Sequence, residues 1–352
     1  METIEIKTQN QLVQKLPFVL YSKPNTNKIV GFYQRNHNLY QVHDFTENGF
    51  VLSSFDGTKN YLLPENESEI VSFLVDKKEL SLSMIEKATI DVNAKINFEN
   101  LVIKGIEAIK DNKFKKVVLS RYEIQDVQDF DMLETFQKLV QLYPSAFVYC
   151  FYHPKIGNWI GATPEQLLKV SDSNFETISL AGTQKDNGSS EVVWGEKEKE
   201  EQKFVTDYLV TKLQNVASKI QSTEPYSVKA GSIWHIKTDV TGVLNSDSSL
   251  KTVIQLLHPT PAVCGLPKEI AKEFIIEHEA YDRSFYSGFL GELNCSFINI
   301  GKSSDLFVNL RCMQIIDSQA HLYIGCGITK DSNPEKEWEE SVNKSLTIKT
   351  VL

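Results

Sequence analysis

No run of apolar residues in this 352-residue chain is long enough to span a bilayer, so no transmembrane helix is expected. The N-terminus, Met1-Glu2-Thr3-Ile4-Glu5, lacks the basic and apolar regions of a secretory leader, and a cytoplasmic protein is expected. Positive charge is short, with 37 lysines and arginines against 46 acids and a net charge of -9. No basic stripe offsets that deficit, which argues against a nucleic-acid partner. Cysteines are few and odd in number: Cys150, Cys264, Cys295, Cys312 and Cys326, with no Cys-x-x-Cys pair. Three lie in apolar, strand-like stretches, so all five are read as buried free thiols in a reducing compartment. The seven histidines form no zinc spacing, so any metal must be held by oxygen. Internal repeats, low-complexity tracts and Pro/Gly/Ser-rich linkers are also missing. The length allows one large domain or two ordinary ones, with ample core.

What the chain does have is a stretch near its end, residues 325–344, that combines backbone freedom with charge. A strand tail, Leu322-Tyr323-Ile324, runs through two glycines toward a helix start. Asn333 suits the N-cap, and Pro334 the first helical position, where its missing N–H costs nothing. Glu337, Glu340 and Lys344 then fall at i, i+3 and i+7 and share one side. Trp338, Val342 and Leu346 form an adjoining stripe that can dock the helix. Spacing alone fits a solvated flank, whereas a Gly-x-Gly turn whose backbone approaches a ligand favours a site.

Residues 1 to about 90 read as strands and short helices without evident chemistry. They include a hairpin of 28–35 with 39–43 around Asn36-His37-Asn38. A helix is expected near 98–112, with Leu101, Gly105, Ile106 and Ile109 on one face. Apolar strands follow near 117–119, 146–152, 159–161, 175–180, 232–240, 288–293, 306–316 and 321–324. Helices are expected near 131–142, 191–220, 248–256 and 334–346. Strands this close in sequence favour antiparallel pairing, which gives a large α+β domain. In the 191–220 helix, Val205, Tyr208, Leu209, Leu213, Val216 and Ile220 make the buried stripe. Glu201 lies four residues before Val205 and extends it. An acid there needs a compensating cation or metal, unless the first turn frays outward and the acid simply complements the helix dipole.

Four further stretches place polar groups among apolar strands. Lys115 and Lys116 open a strand, and alternation sends them to opposite faces. Glu165 lies in a tight turn at 161–166. Leu180-Ala181-Gly182-Thr183 ends a strand in a small-residue turn carrying a hydroxyl. A proline-stiffened loop at 257–268 carries His258, either as a site residue or as a stiffener of the loop.

Together these motifs resemble the chorismate-utilising enzymes, the family of isochorismate, salicylate, anthranilate and aminodeoxychorismate synthases. The resemblance runs from about residue 95 to the end of the chain. Residues 1–94 are taken as a divergent N-terminal segment of the same fold and 95–352 as the catalytic region. Leu180-Ala-Gly-Thr, in place of the aminating members' Pro-Ile-x-Gly-Thr, and the His258-Pro-Thr-Pro-Ala-Val-Cys-Gly265 loop make the chain most similar to isochorismate synthases. The segment 279–291 also follows the family pattern.

The resemblance implies a single two-lobed domain, with antiparallel sheets inside, helices outside and chorismate in the cleft, and a monomer. It implies one Mg²⁺ held by Glu201 and Glu340 with Glu337 close by, a set of oxygen ligands that suits this ion. Where the family often has His after the first metal-binding Glu, this chain has Gln202, and weaker metal affinity is expected. By resemblance Lys116 is the general base and Glu165 the general acid; Arg311 and Lys344 take a substrate carboxylate. The backbone at Gly327 and Ile328, with Tyr323, Gly182, Thr183 and His258, completes the substrate contacts. The implied reaction adds water at ring carbon two while the hydroxyl at carbon four leaves and the double bonds shift. A lysine can serve as base near neutral pH only if desolvated, and a glutamate can donate only if its pKa is raised. The product would feed menaquinone or siderophore assembly. The alternatives are a salicylate synthase that goes on to eliminate pyruvate, an aminating synthase with a separate glutamine-hydrolysing partner, and a catalytically silent chorismate binder.

Overall fold

Phe147, Tyr149 and Phe151 face one side of their strand and Val148 and Cys150 the other, and both sides are buried. A strand buried on both faces needs a layer against each, and here one layer is a second sheet and the other is helical. The computed structural model describes residues 3–75, 91–186, 188, 192–230, 233–297 and 302–352. One sheet runs in the order β15 (Gly265–Leu266), β7 (Lys116–Asp126), β19 (Gln319–Ile328), β18 (Cys312–Ile316), β9 (Gly157–Thr163), β8 (Phe147–His153), β1 (Phe18–Ser22), β2 (Lys28–Gln34), β6 (Ser68–Leu74). The other runs β12 (Ala217–Ser222), β14 (Ile233–Leu244), β11 (Asn174–Lys185), β10 (Gln166–Ser171), β17 (Ser303–Val308), β16 (Phe289–Leu293), β4 (Gly49–Ser53), β5 (Asn60–Pro64), β3 (Tyr40–Gln41). A further strand, β13 (Tyr226–Ala230), also pairs with β14. Every pairing among the described residues is antiparallel.

Aromatic rings fill the space between the sheets. Phe147 of one stacks on Phe307 of the other at 4.2 Å between centroids, and Tyr21 meets Phe50 at 5.2 Å. Helices cover the outer faces. The helices α1 (Ile4–Val13), α3 (Met132–Leu142) and the end of α7 (Pro334–Lys349) pack on the first sheet, and α2 (Val92–Lys110) and α6 (Lys268–His278) cover its β7–β19 end. The remaining pair, α4 (Glu196–Leu213) and α5 (Leu250–Leu257), packs on the second sheet. The expected α+β domain with antiparallel sheets inside and helices outside is what forms. Among the described residues, no helix is long and apolar enough to cross a membrane. The first 75 residues supply β1, β2 and β6 at one edge of the first sheet and β3, β4 and β5 at one edge of the second.

The chain changes sheets at two places that matter for the site. It passes from β9 to β10 through Pro164 and Glu165, and from β17 to β18 through Asn309, Leu310 and Arg311. The two crossings are tied together: the Val308 N–H donates to Glu165 O (2.9 Å), and the Ala162 N–H donates to Arg311 O (3.0 Å). Glu165 and Arg311 therefore share one seam between the sheets.

Several local expectations are corrected. Residues 28–35 and 39–43 do not form a hairpin: β2 pairs with β1 and β6, while β3 joins β5 in the other sheet. The stretch 306–316 is two strands in different sheets, broken where Arg311 turns with φ +47° and Asn309 is fixed by Tyr149 and Phe285. Apolar residues on both sides conceal that break from a periodicity reading. The helix expected over 191–220 spans Glu196–Leu213, and Ile220 belongs to β12; residue 191 lies outside the described residues. Leu180 to Thr183 does not end a strand, because β11 continues through a bulge at Gly182, whose φ is +72°. Gly325 and Gly327 are likewise strand residues of β19, paired with Ser120 and Val118, rather than a turn. Helix α1 is one of the short helices expected before residue 90, whereas α6 was not anticipated. All five cysteines are buried and free, as expected.

Candidate active site

Lys115, just before β7, is exposed, and Lys116, the first residue of β7, is completely buried. The Lys116 Nζ lies 3.0 Å from Glu201 Oε1 on α4 and makes no hydrogen bond of good geometry. Gly327 on the neighbouring β19 makes room for this pair. A Cβ there would stand 2.2 Å from Glu201 Oε1 and 3.2 Å from Lys116 Cε. Behind β7, Arg283 clamps the strand by donating to Val118 O (2.7 Å) and to Glu279 (2.5 Å), and Glu279 accepts from the Ser120 N–H (2.7 Å). This gives the 279–291 segment a structural task.

Glu165 lines the cavity at the seam and is only 4% exposed. Burial pushes its carboxyl up to about 8, against the pull of Lys116, Lys344 and Arg311 and of the Thr260 hydroxyl. It therefore keeps its proton past neutral pH.

Arg311, Lys344, Gly182, Thr183, Tyr323 and Gly327 line the same cavity. Arg311 donates to Thr347 Oγ1 (3.2 Å), and its Nη2 stands 3.4 Å from His235 Nε2. The His235 Nδ1 lies 3.0 Å from Gly182 O, a carbonyl that can only accept, so the proton is on Nδ1 and Nε2 offers its lone pair to Arg311. Burial first, then Arg311 and Lys344, hold the His235 pKa down to about 3, and the ring is neutral. Tyr323 is fixed as a wall between Trp159 (5.4 Å) and Tyr286 (5.6 Å), both stacked on it. Ile328 is not brought to this cavity: its side chain lies in the core beneath α2 and its strand position pairs with Val117.

His258 is not brought to this cavity. Its Nε2 lies 3.1 Å from Ser54 O, its ring packs on Phe289, and it lines a separate pocket with Lys251, Lys268 and Lys272. What the proline-rich loop supplies at the seam is Thr260, along with Ala262 and Val263 on the wall. His235 was missed by the sequence reading. Its one signal is a histidine set among apolar residues in the strand expected at 232–240.

On α7 the Asn333 cap forms as expected, with its side chain accepting from the Lys336 N–H. Glu337 is 1% exposed, receives Lys197 Nζ at 2.6 Å and leaves its Oε2 without a hydrogen bond. Burial and then Glu340 push its pKa up. Burial would do the same to Glu340, but Lys344 at 2.6 Å brings it below the usual carboxylate range. Lys344 also donates to Gly325 O (3.0 Å). Donor atoms of Glu337, Glu340 and Cys326 lie within 4.8 Å of one another. The Cys326 thiol is pushed well up by burial and donates to Glu337 O (3.3 Å), so the available ligands are carboxylate oxygens. Burial acts against the charge on Lys197, but Glu337, Glu340 and Glu201 together hold it in place; the Glu201 carboxylate itself is paired with Lys116 and stands outside the Glu337–Glu340–Cys326 group. Ser332 also lies near enough to the Glu337 carboxyl to favour its charge; hard oxygen donors, one of them a buried Oε2 without a well-formed hydrogen bond, fit a small divalent cation such as Mg²⁺. Gln202 faces away from this cluster and donates to Ser179, Thr206 and Thr238, fastening α4 to β11 and β14.

The family model described as chorismate binding enzyme matches residues 57–352. Isochorismate synthase EntC of Escherichia coli (strain K12) is 29% identical over 283 residues, covering 77% of this chain and 70% of that protein. Isochorismate synthase DhbC of Bacillus subtilis (strain 168) is 27% identical over 272 residues, covering 72% and 66%. The solved structure of MenF, the menaquinone-specific isochorismate synthase from Escherichia coli, superposes with a TM-score of 0.77 at 21% identity. It covers 96% of this chain and 88% of that one, a likeness of fold. With a family match across both sheets and all the elements that build the seam, the chain belongs to the chorismate binding enzymes.

Proposed function

We propose that this enzyme is an isochorismate synthase, interconverting chorismate and isochorismate with Mg²⁺. The observation that carries the reading is Glu165: a carboxyl that keeps its proton to about pH 8, on a cavity walled by Arg311 and Lys344 and close enough to Lys116 to feel its charge. A reaction that puts a hydroxyl on one ring carbon and removes one from another needs a base and an acid at the same pocket. In this reading Lys116, in its neutral form, takes a proton from the incoming water as that water's oxygen bonds to ring carbon two. The double bonds shift, and Glu165 gives its proton to the hydroxyl leaving carbon four, so one water enters and one departs. Arg311 offers its planar guanidinium to one substrate carboxylate, oriented by His235 and Thr347. Glu201, Glu337 and Glu340 would hold Mg²⁺, whose charge, when bound, neutralises the second carboxylate. Tyr323 and its stacked neighbours give the ring an apolar wall. Isochorismate made this way would enter menaquinone or siderophore assembly.

The test is proton NMR of chorismate incubated with the purified protein and Mg²⁺, following isochorismate and pyruvate together. Isochorismate rising to a plateau without pyruvate is the expected result. Salicylate and pyruvate appearing in step would replace the proposal with a salicylate synthase, and saturable binding without product would make the protein a silent binder.

A further inference from the structure

Four basic side chains, Lys116, Lys197, Arg311 and Lys344, meet four acidic ones, Glu165, Glu201, Glu337 and Glu340, in and beside this cavity. Glu165 keeps its proton, so the three remaining acids already face at least as many cations, and the cluster has no spare negative charge to offer a divalent ion. Entry of such an ion requires that one internal cation give way. The structure indicates which one can. The Lys116 side chain is 0% exposed, and Lys344 is 13% exposed and tied to both Glu340 and Gly325 O. The Lys197 side chain is 28% exposed, lies in the first turn of α4 beside solvent, and is held through Glu337 Oε1. The partner it would leave behind is the same carboxylate whose other oxygen, Oε2, is buried without a hydrogen bond.

We infer that Lys197 is the exchangeable counter-ion of this cluster: it occupies Glu337 until a divalent cation displaces it, and it thereby weakens cation binding in the empty enzyme. The inference rests on the Mg²⁺ reading above and adds to it a competitor built into the chain. Its consequence is that the resting acids are already countered by internal cations, and the cavity needs no metal to stay folded. Cation and dianionic substrate then favour each other, because each alone unbalances the cluster and the two together restore it.

The experiment is a Mn²⁺ titration of the full-length protein without substrate, read by the electron paramagnetic resonance of free Mn²⁺. Lys197→Met should tighten Mn²⁺ binding by about fivefold or more, since the competing ammonium is gone. Lys197→Arg, which keeps the charge, should bind like the native protein. Lys199→Met, which removes an equally charged but 56%-exposed lysine two residues along the helix, should shift the constant less than about twofold. Lys197→Gln repeats the test if the methionine variant loses thermal stability. Unchanged or weaker Mn²⁺ binding in the neutral variants would overturn the inference and make Lys197 a support of the site. Failure of Mn²⁺ to bind any of these proteins, or binding indifferent to Glu337→Gln and Glu340→Gln, would instead overturn the metal reading, and this inference with it.

Discussion

A Cβ at residue 327 would lie 2.2 Å from the Glu201 carboxylate, so the absence of a side chain on β19 is what lets an acid from α4 reach Lys116. Gly327→Ala should leave the β7–β19 pairing intact while displacing Glu201. The expected outcome is a melting temperature within a few degrees of native, with Mn²⁺ affinity and turnover each lowered ~10-fold or more, the usual scale for disturbing a metal-site neighbour. Native-like kinetics in this variant would remove Glu201 from the site.

Glu165 makes a pH prediction with a definite sign. The acid must be protonated to donate, so Glu165 sets the upper limb of the pH profile, and kcat should fall above about pH 8. Lys116→Ala and Glu165→Gln should each lower kcat by at least ~10²-fold with folding intact. Stability follows from the same shift. The folded pKa is raised above the unfolded value of 4.5, so ionisation favours the unfolded chain, and stability falls as pH rises from there toward 8. Urea unfolding of native protein and Glu165→Gln at pH 5 and pH 8 checks this, and the native protein should lose more stability over that interval.

His235 orients rather than reacts. It fixes Arg311 by a lone pair whose direction is set by Gly182 O. His235→Leu should raise the KM for the dianion by about tenfold or more, near the net worth of one hydrogen bond to a charged group. His235→Gln, which retains an acceptor, should recover part of it, and kcat should change less than KM in both. A KM unaffected by either change would separate Arg311 from the substrate.

Away from the site, the aromatic layer between the sheets contains a buried polar group. Tyr21 donates to Glu292 (2.5 Å), Lys23 bridges Glu292 (2.7 Å) and Asp305 (2.8 Å), and Gln166 donates to Asp305 (2.8 Å). Lys23→Met strands two acids in the sandwich and should destabilise the fold by about 3 kcal/mol, measured by chemical denaturation. Lys23→Met combined with Glu292→Gln should recover part of that loss.

Local chemistry was legible in the sequence. The capped α7 with Glu337, Glu340 and Lys344 on one side is set by a helical repeat and an N-cap, both contained within sixteen residues. The opposite fates of Lys115 and Lys116 were expected, although Lys115 stands just before the strand, and the burial of five unpaired thiols follows from their apolar neighbours. The antiparallel α+β class came from the close spacing of the strands.

What only the tertiary structure decided is where distant pieces meet. At the two crossings that build the seam, Glu165 showed as a turn but the break at Arg311 is hidden because apolar residues continue on both sides, and periodicity carries no record of a change of sheet. Gly325 and Gly327 read as a turn because nothing nearby reveals the acid that needs the space. The His235 partners lie 53 and 76 residues away, and the Lys197 partner lies 140 away. His258 carried the stronger motif but faces Ser54. Sequence spacing prescribes which face of its own element a residue takes. Which charge it meets there is set by packing between elements, and so the electrostatics of this cavity exist only in the folded chain.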